Sequence, residues 1–316
     1  YGVALFFILS GFVISLPFWQ AQSNQLPLPA FKPYMQRRVV RIIPAYYMSL
    51  LLTLLITGLW RLPNSETDIA LHLLLLHNLA EFSVLSINPP YWSLGVEIQF
   101  YLLLPILFML ISLLPSKIRA LTIISLAFFS YWLFGYVSSQ LTHVVQWPFD
   151  SALLWIRPFG AVITYSLIAH LPHFILGIIC AFLYLKLIGS ALIQRQWFGL
   201  IAEFTFWITA LTLTVILTTE LAQHLQIPNG RYGLPTIPLL LAILVLATPF
   251  TTYSLRLLKS RFIYNLGVVS YGIYIYHHPI LMHVYQWMHA KGNAPEDAPA
   301  TFASITLLLT LFVAWS

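Results

Sequence analysis

The sequence has very few charged side chains. Of its 316 residues only 8% are Asp, Glu, Lys or Arg, whereas 59% are hydrophobic, and the mean hydropathy is +0.84. Globular domains carry about 25% charged residues, so this chain lacks the polar surface of a water-soluble protein. A membrane span needs about 20 mostly apolar residues. The composition therefore indicates a polytopic protein embedded in a lipid bilayer.

Cysteine is almost absent as well, and the single residue Cys180 excludes an intrachain disulfide. The net charge of +6 does not indicate nucleic-acid binding, because the basic residues are dispersed between apolar runs. Basic residues are missing ahead of the first apolar run, which starts at Tyr1, so this run is not typical of a signal peptide. Because the sequence begins and stops inside apolar runs, we expect a single membrane-embedded domain, residues 1–316, truncated at both ends.

Apolar runs recur along the whole chain and predict an all-α bundle of about nine membrane-spanning helices. A further, partly buried segment is expected near residues 69–85, which makes about ten. The longest polar-leaning stretches, 61–94 and 138–172, are expected to cover an entrance. The predicted spans are residues 3–19, 44–60, 95–113, 119–137, 173–189, 199–219, 236–252, 263–283 and 300–316.

The basic residues alternate between the predicted loops and thereby predict an orientation. Eleven lysines and arginines lie in one set of alternate loops, and four lie in the other set. Loops on the cytoplasmic side of a membrane carry the excess of Lys and Arg. We therefore expect the loop 20–43 to face the cytoplasm.

This loop contains three arginines, Arg37, Arg38 and Arg41, directly before an apolar run. Cytoplasmic anchoring explains them, but their spacing places all three on one broad face of a helix. Arginine binds phosphate in a bidentate manner, which lysine does not. The cluster is therefore either a topology signal, an anion site, or both.

A second candidate is Glu97, an acid near the outer end of a predicted span. Ionisable residues inside a span are costly, and they face a cavity or a partner. The alternative is an acid at a helix end that lies near water or pairs with a neighbouring helix. The aromatic residues Tyr91, Trp92 and Tyr101 are expected to serve as interface-belt and packing residues.

A third candidate stretch contains His277 and His278, directly before Pro279 and flanked by tyrosines that include Tyr274. Proline frees a backbone carbonyl and bends a helix, and histidine can supply either a hydrogen bond or a proton. A structural role at the bend and a catalytic role both remain open.

The other paired histidines are predicted to be loop or interface residues. These histidines are His72, His77, His170 and His173. No metal site is expected, because no further His or acid follows His277 and His278 at regular ligand spacing. In the first span, Ser10 and Gly11 interrupt an apolar helix. Small residues allow helices to approach closely, so packing is the simpler interpretation, with Ser10 lining a passage as the alternative.

Five stretches together resemble the acyltransferase-3 family of integral membrane acyltransferases, which modify bacterial O-antigen, peptidoglycan-associated and nodulation-factor glycans. They occur in the order found in the family and cover nearly the whole chain. The stretches are "LFFILSGFVIS", "RRVVRIIPAYY", "YWSLGVEIQFYLLLPIL", "PHFILGIICAFL" and "LGVVSYGIYIYHHPIL".

The resemblance implies a roughly ten-helix bundle in the bacterial cytoplasmic membrane. It also implies transfer of an acyl group, most often acetyl, from cytosolic acyl-CoA to a hydroxyl of a saccharide or glycolipid. The paired arginines of the family, which handle the acyl donor, match Arg38 and Arg41. Its tryptophan-serine-leucine motif and the acid after it match Trp92, Ser93 and Glu97. Its late histidine before a proline matches His277.

One feature departs from the family. The main catalytic histidine of the family lies in a first span, ahead of the segment that starts here at Tyr1, and the present sequence has no counterpart. We interpret the sequence as a fragment that lacks this span. Two rival functions remain open: a transporter or flippase for a glycan or lipid, and a catalytically inactive relative that acts as a scaffold.

Overall fold

The computed structural model describes residues 1–61, 65–145, 162–219, 235–293 and 295–315, with the backbone alone for 134–145. Within these ranges the chain forms eleven α-helices linked by turns and short 3-10 helices, and no β-strand. The predicted all-α class is confirmed. The helices are α1 (Gly2–Ser23), α2 (Phe31–Thr57), α3 (Ser65–Leu73), α4 (Trp92–Ser112), α5 (Ser116–Val145), α6 (Leu167–Ile188), α7 (Gln196–Thr218), α8 (Thr236–Ala247), α9 (Tyr253–Leu258), α10 (Arg261–Ala290) and α11 (Pro299–Trp315).

Nine of these helices overlap the nine predicted spans. Among the residues that the structure describes, five segments are long and apolar enough to cross a bilayer, which makes the chain an integral membrane protein. They are Gly2–Ser23, Phe31–Thr57, Pro89–Ser112, Val162–Ile188 and Gln196–Thr218. Two more apolar helices, Thr236–Phe250 and Pro299–Trp315, are shorter. The total number of spans and the cytoplasmic orientation stay predictions.

Helix α2 begins well before the predicted span of residues 44–60. It starts at Phe31, so the three arginines lie inside a helix rather than in a loop. Hydropathy detects only the apolar part of such a helix, because its basic first turns resemble a polar loop. Pro33 falls in the first turn, where the missing N–H costs little.

The expected buried segment near residues 69–85 is not one long helix. It consists of the short helix α3, a 3-10 turn at His77–Leu79 and irregular backbone up to a second 3-10 turn at Pro89–Tyr91. The hydroxyl of Tyr46, the sixteenth of 27 residues in α2, donates to the carbonyl of His72 over 2.9 Å. The segment therefore reaches the middle of α2 instead of lying across its end. In the other polar stretch, 138–172, residues 146–161 lie outside the described ranges.

The chain divides into two compact units. The first contains residues 1–32 and 99–258, and the second contains residues 33–98 and 259–316. Helix α4 contributes its first two turns, with Glu97, to the second unit and its remainder to the first.

In the first unit, α1 and α6 cross at two glycines. A β-carbon added at Gly177 would overlap the carbonyl oxygen of Ile8 and lie 2.7 Å from the backbone nitrogen of Phe12. A β-carbon at Gly11 would overlap the carbonyl oxygen of Phe174. Backbone meets backbone here, because small residues remove the side chains that would hold the helices apart. This agrees with the packing role predicted for Gly11.

Replacing Gly177 by alanine is expected to destabilise the protein by about 1–3 kcal/mol, the usual cost of overpacking. The added methyl group meets backbone atoms, which cannot rotate away as a side chain can. The effect is measured as a change in the melting temperature in detergent. Loss of the monodisperse chromatography peak on heating reports the melting. Gly189→Ala is the control, because a β-carbon there lies 3.5 Å from its nearest neighbour. Equal melting temperatures for the two variants would contradict the crossing.

An acid inside the predicted span 199–219 also has a structural explanation in this unit. The Glu203 carboxylate accepts hydrogen bonds from the backbone N–H groups of Thr252, Tyr253 and Ser254, at 2.9–3.0 Å. It also accepts a bond from the Ser254 hydroxyl. These N–H groups begin helix α9 and lack partners in their own helix. Glu203 therefore caps α9 from a neighbouring helix.

Candidate functional site

The candidate site lies in the second unit and starts from the arginine cluster on α2. Arg38 is half-buried, whereas Arg37 and Arg41 are exposed. The guanidinium carbon of Arg38 lies 5.8 Å from the ring centroid of Tyr34, one helical turn earlier. Tyr34 is itself buried. The three arginines therefore differ in environment, and only Arg38 is held partly inside the unit.

Glu97, on the second turn of α4, is 3% exposed. Its carboxyl group is within electrostatic reach of the phenols of Tyr34 and Tyr271. The hydroxyl of Tyr271, on α10, donates to the carbonyl of Ile42 on α2 over 3.0 Å. Tyr34 also interacts electrostatically with Arg38. The two sequence-predicted residues Arg38 and Glu97 thus both lie within electrostatic range of the buried Tyr34, and Glu97 is not a water-exposed helix-end acid.

Ser93 attaches the start of α4 to α10. Its hydroxyl and that of Tyr274 lie 2.6 Å apart, and the Tyr274 hydroxyl also donates to the carbonyl of Pro90 over 2.9 Å. Ser93 precedes Glu97 by one helical turn, so both residues lie on the same face of α4. The neighbouring Trp92 is buried, as are Tyr91 and Tyr101, and all three are packing residues rather than an exposed aromatic belt.

His277 lies on α10, three residues after Tyr274, and is half-buried. Its Nδ1 lies 2.6 Å from the carbonyl oxygen of Tyr274. A carbonyl can only accept, so Nδ1 donates this bond, and Nε2 is the ring nitrogen left for proton exchange. The carbonyl that Pro279 frees is that of Ile275, and it accepts from Asn88 rather than from His277. Asn88 therefore satisfies the freed carbonyl, whereas His277 bonds to the carbonyl one residue before it, so its structural and catalytic roles both stay open.

Ser10 and Gly11 belong to the first unit, where both are buried in α1. Gly11 lies in the α1–α6 crossing described above. Ser10 stays a candidate for a passage-lining residue.

Sequence reasoning missed a polar cluster formed by Asp68, His72, His77 and Ser83. The Asp68 carboxylate lies 3.2 Å from Nδ1 of His72 and accepts a hydrogen bond from the Ser83 hydroxyl. The rings of His72 and His77 stack at 4.3 Å, nearly parallel. Both histidines are fully buried, not exposed loop residues. The i, i+4 spacing of Asp68 and His72 was the available sequence signal.

The environment of this cluster shifts two pKa values. Burial, together with the adjacent His72 ring, lowers the pKa of His77 to about 3, so this histidine is neutral at physiological pH. Burial would raise the pKa of Asp68, but hydrogen bonds from His72, Ser83 and Ser86 outweigh it and hold that pKa below its ordinary value. In the parts of the chain that the structure describes, no group of three His, Cys, Asp or Glu residues is arranged to hold a metal ion.

The low pKa of His77 predicts that acid weakens the fold. Between the ordinary pKa of 6.5 and the folded value of about 3, the unfolded state binds a proton that the folded state does not. Stability is therefore lost as pH falls through this window. Asp68 acts in the same direction but only below its ordinary pKa of 3.8.

Replacing His77 by phenylalanine, which keeps an aromatic ring next to His72, is expected to reduce the loss of melting temperature between about pH 7 and about pH 4.5. Thermal unfolding in detergent at the two pH values measures this. The control is His283→Phe, which removes an exposed histidine and is expected to leave the acid-induced loss unchanged. If acid lowered the melting temperature of His77→Phe as much as that of the wild type, the low pKa of His77 would not be the cause of the acid sensitivity.

Comparison with known proteins places these motifs in a family. A protein-family model described as "Acyltransferase domain", of the acyltransferase-3 type, matches residues 1–316. A protein of Bacillus subtilis (strain 168), named "Putative peptidoglycan O-acetyltransferase YrhL", is 26% identical to the chain over 299 residues. The match covers 89% of this chain but only 44% of that relative. No solved structure shows significant similarity. The resemblance predicted from the five motifs is confirmed, and the chain belongs to the acyltransferase-3 family of membrane acyltransferases.

Proposed function

We propose that the chain is the membrane domain of an O-acyltransferase that uses cytosolic acyl-CoA, most often acetyl-CoA. The acceptor is a hydroxyl of a saccharide or glycolipid at or beyond the bacterial cytoplasmic membrane. The observation that carries this proposal is that the Arg38 guanidinium, held against the Tyr34 ring, and the buried Glu97 carboxylate lie in the same compact unit, both within electrostatic range of Tyr34. A cation can bind the phosphates of the donor, and a carboxylate can take part in proton transfer.

Arg38 is the main donor-binding residue in this proposal. Coenzyme A carries several phosphate charges, and a guanidinium binds phosphate through two parallel, charge-assisted hydrogen bonds. Arg37 and Arg41, exposed on the same helix, add positive charge that attracts the donor. If the predicted orientation holds, this end of α2 faces the cytosolic pool of acyl-CoA.

The chemistry is a transfer from sulfur to oxygen. The acceptor hydroxyl oxygen attacks the thioester carbonyl carbon, the carbon–sulfur bond breaks, and the hydroxyl proton ends on the departing thiolate. A general base takes this proton and passes it on. Glu97 and His277 are the candidates for this base within the described residues.

The relative's printed name, which refers to peptidoglycan, suggests a glycan acceptor of this type for the present chain. The test is acyl transfer by the purified full-length protein in lipid nanodiscs. Release of coenzyme A thiol that depends on an added muropeptide or oligosaccharide, with an acetyl ester on the sugar by mass spectrometry, is the expected result. Movement of the glycan across a vesicle membrane without consumption of acetyl-CoA would instead establish the transporter alternative.

A further inference from the structure

The proline inside α10 creates a defined defect in the middle of that helix. Pro279 has no N–H, so the carbonyl of Ile275, four residues earlier, has no partner in its own helix. Ile275 is the fifteenth of the thirty residues of α10 and is fully buried. Water is therefore not available to this carbonyl, and a buried acceptor without a donor is costly.

A residue far away in sequence fills the defect. Nδ2 of Asn88 donates to the carbonyl oxygen of Ile275 over 2.9 Å, and the two residues are 187 positions apart. Asn88 is only 1% exposed. A carbonyl can accept but not donate, so this contact sets which end of the Asn88 amide points toward α10. The carbonyl that the proline leaves open thus accepts a hydrogen bond from a side chain that precedes α4.

A second link lies directly beside the first. Tyr274, the residue before Ile275, bonds to the carbonyl of Pro90 and to the hydroxyl of Ser93. Two consecutive residues of α10 are therefore bonded to the short stretch that begins α4. Glu97 follows Ser93 by one helical turn, and His277 bonds to the carbonyl of Tyr274. Any shift of this stretch along α10 would move Glu97 relative to His277.

We infer that Asn88 is a positioning residue for the acyl-transfer reaction. By occupying the carbonyl that Pro279 leaves open, it fixes the axial position and rotation of the Glu97-bearing turn of α4 against the His277-bearing part of α10. The contact itself is independent of function, whereas its catalytic consequence rests on the proposed function. Asn88 touches neither donor nor acceptor in this assignment and acts through Glu97.

The test is a double-mutant cycle with Asn88→Ala and Pro279→Ala in the full-length protein. Asn88→Ala alone leaves the Ile275 carbonyl unpaired and is expected to lower the melting temperature by at least about 2 °C. It is also expected to lower kcat about 10²-fold, the scale of a misplacement of about 1 Å, with the KM for acetyl-CoA little changed. Pro279→Ala restores an N–H that can bond to Ile275.

The double mutant distinguishes two roles of Asn88: placing Glu97 for the reaction, and merely giving the Ile275 carbonyl a hydrogen-bond donor. Its melting temperature is expected to return toward that of Pro279→Ala, because the N–H restored at position 279 now bonds to the Ile275 carbonyl within α10. Its kcat is expected to stay low, because the double mutant still lacks the Asn88 side chain that holds the start of α4 against α10. Recovery of both quantities would overturn the positioning role, and equal destabilisation by Asn88→Ala in the two backgrounds would overturn the hydrogen bond.

The cycle also distinguishes this inference from the proposed function. Coupling in melting temperature between Asn88 and Pro279 establishes the contact even in a protein that does not consume acetyl-CoA, and that outcome would refute the acyltransferase proposal and the positioning role together. An active wild type without any coupling would refute the contact and with it the positioning role, but it would leave the proposed function intact. Asn88→Asp, which keeps the side-chain shape but cannot donate when ionised, is the second variant should Asn88→Ala fail to fold.

Discussion

Replacing Arg38 by alanine in the full-length protein is expected to raise the KM for acetyl-CoA about 10–100-fold. Hydrogen bonds to charged groups contribute about 1.5–3 kcal/mol, and each 1.4 kcal/mol is tenfold in affinity. Arg38 is the arginine of the cluster that is partly enclosed, against the Tyr34 ring, so less water competes for its phosphate contacts. Arg37 and Arg41 are exposed, and we expect smaller effects that fade at high salt.

Initial rates of coenzyme A release at varied acetyl-CoA measure the effect. Lys32→Ala is the matched control, since Lys32 is an exposed cation on the same first turns of α2. Arg38→Lys keeps the charge and loses the bidentate fork, so an intermediate KM is expected. A KM for Arg38→Ala equal to that of Lys32→Ala would remove Arg38 from the donor site.

Replacing Glu97 by glutamine is expected to lower kcat by about 10²–10⁴-fold, the range that general acid–base catalysis contributes. Glutamine has nearly the same shape but cannot take a proton from the acceptor or stabilise an imidazolium. The KM for acetyl-CoA is expected to stay within about twofold, because phosphate recognition belongs to the arginines and not to this carboxylate. Single-turnover acyl transfer at saturating donor measures this step.

The control for Glu97→Gln is Glu81→Gln, which neutralises an exposed acid in the same unit. Membrane insertion and chromatographic behaviour of both variants are expected to match the wild type. A Glu97→Gln enzyme with wild-type turnover would exclude proton transfer by Glu97 and leave His277 as the candidate base among the described residues.

Several parts of the site were predictable because they are local. Apolar runs located nine of the helices in the described parts of the chain, and the spacing of Arg37, Arg38 and Arg41 already placed them on one helical face. The acid at position 97 stood out because a carboxylate is rare in a membrane span. Proline at position 279 likewise showed where a backbone carbonyl would lack its helical donor.

Other predictions about the site were wrong or missing, because they depend on which distant residue each side chain contacts. The histidines at 72 and 77 were expected in loops or at interfaces, yet they stack in a buried cluster with Asp68. The sequence could not show that Arg38 is more buried than Arg37 and Arg41, since spacing along a helix does not say which side of it another helix covers. The histidine at 277 was a candidate for satisfying the proline bend, and Asn88 was not considered.

The sequence by itself determined that this is a membrane-embedded helical protein of the acyltransferase-3 type, because hydropathy, charge alternation and motif order are properties of neighbouring residues. Only the tertiary structure decided which arginine is enclosed and which tyrosine lies near both that arginine and Glu97. It also decided which side chain donates to the carbonyl that Pro279 leaves open. The physical reason is that these contacts join residues far apart in the chain, and a helix of given sequence can turn any of its faces toward a partner until packing selects one.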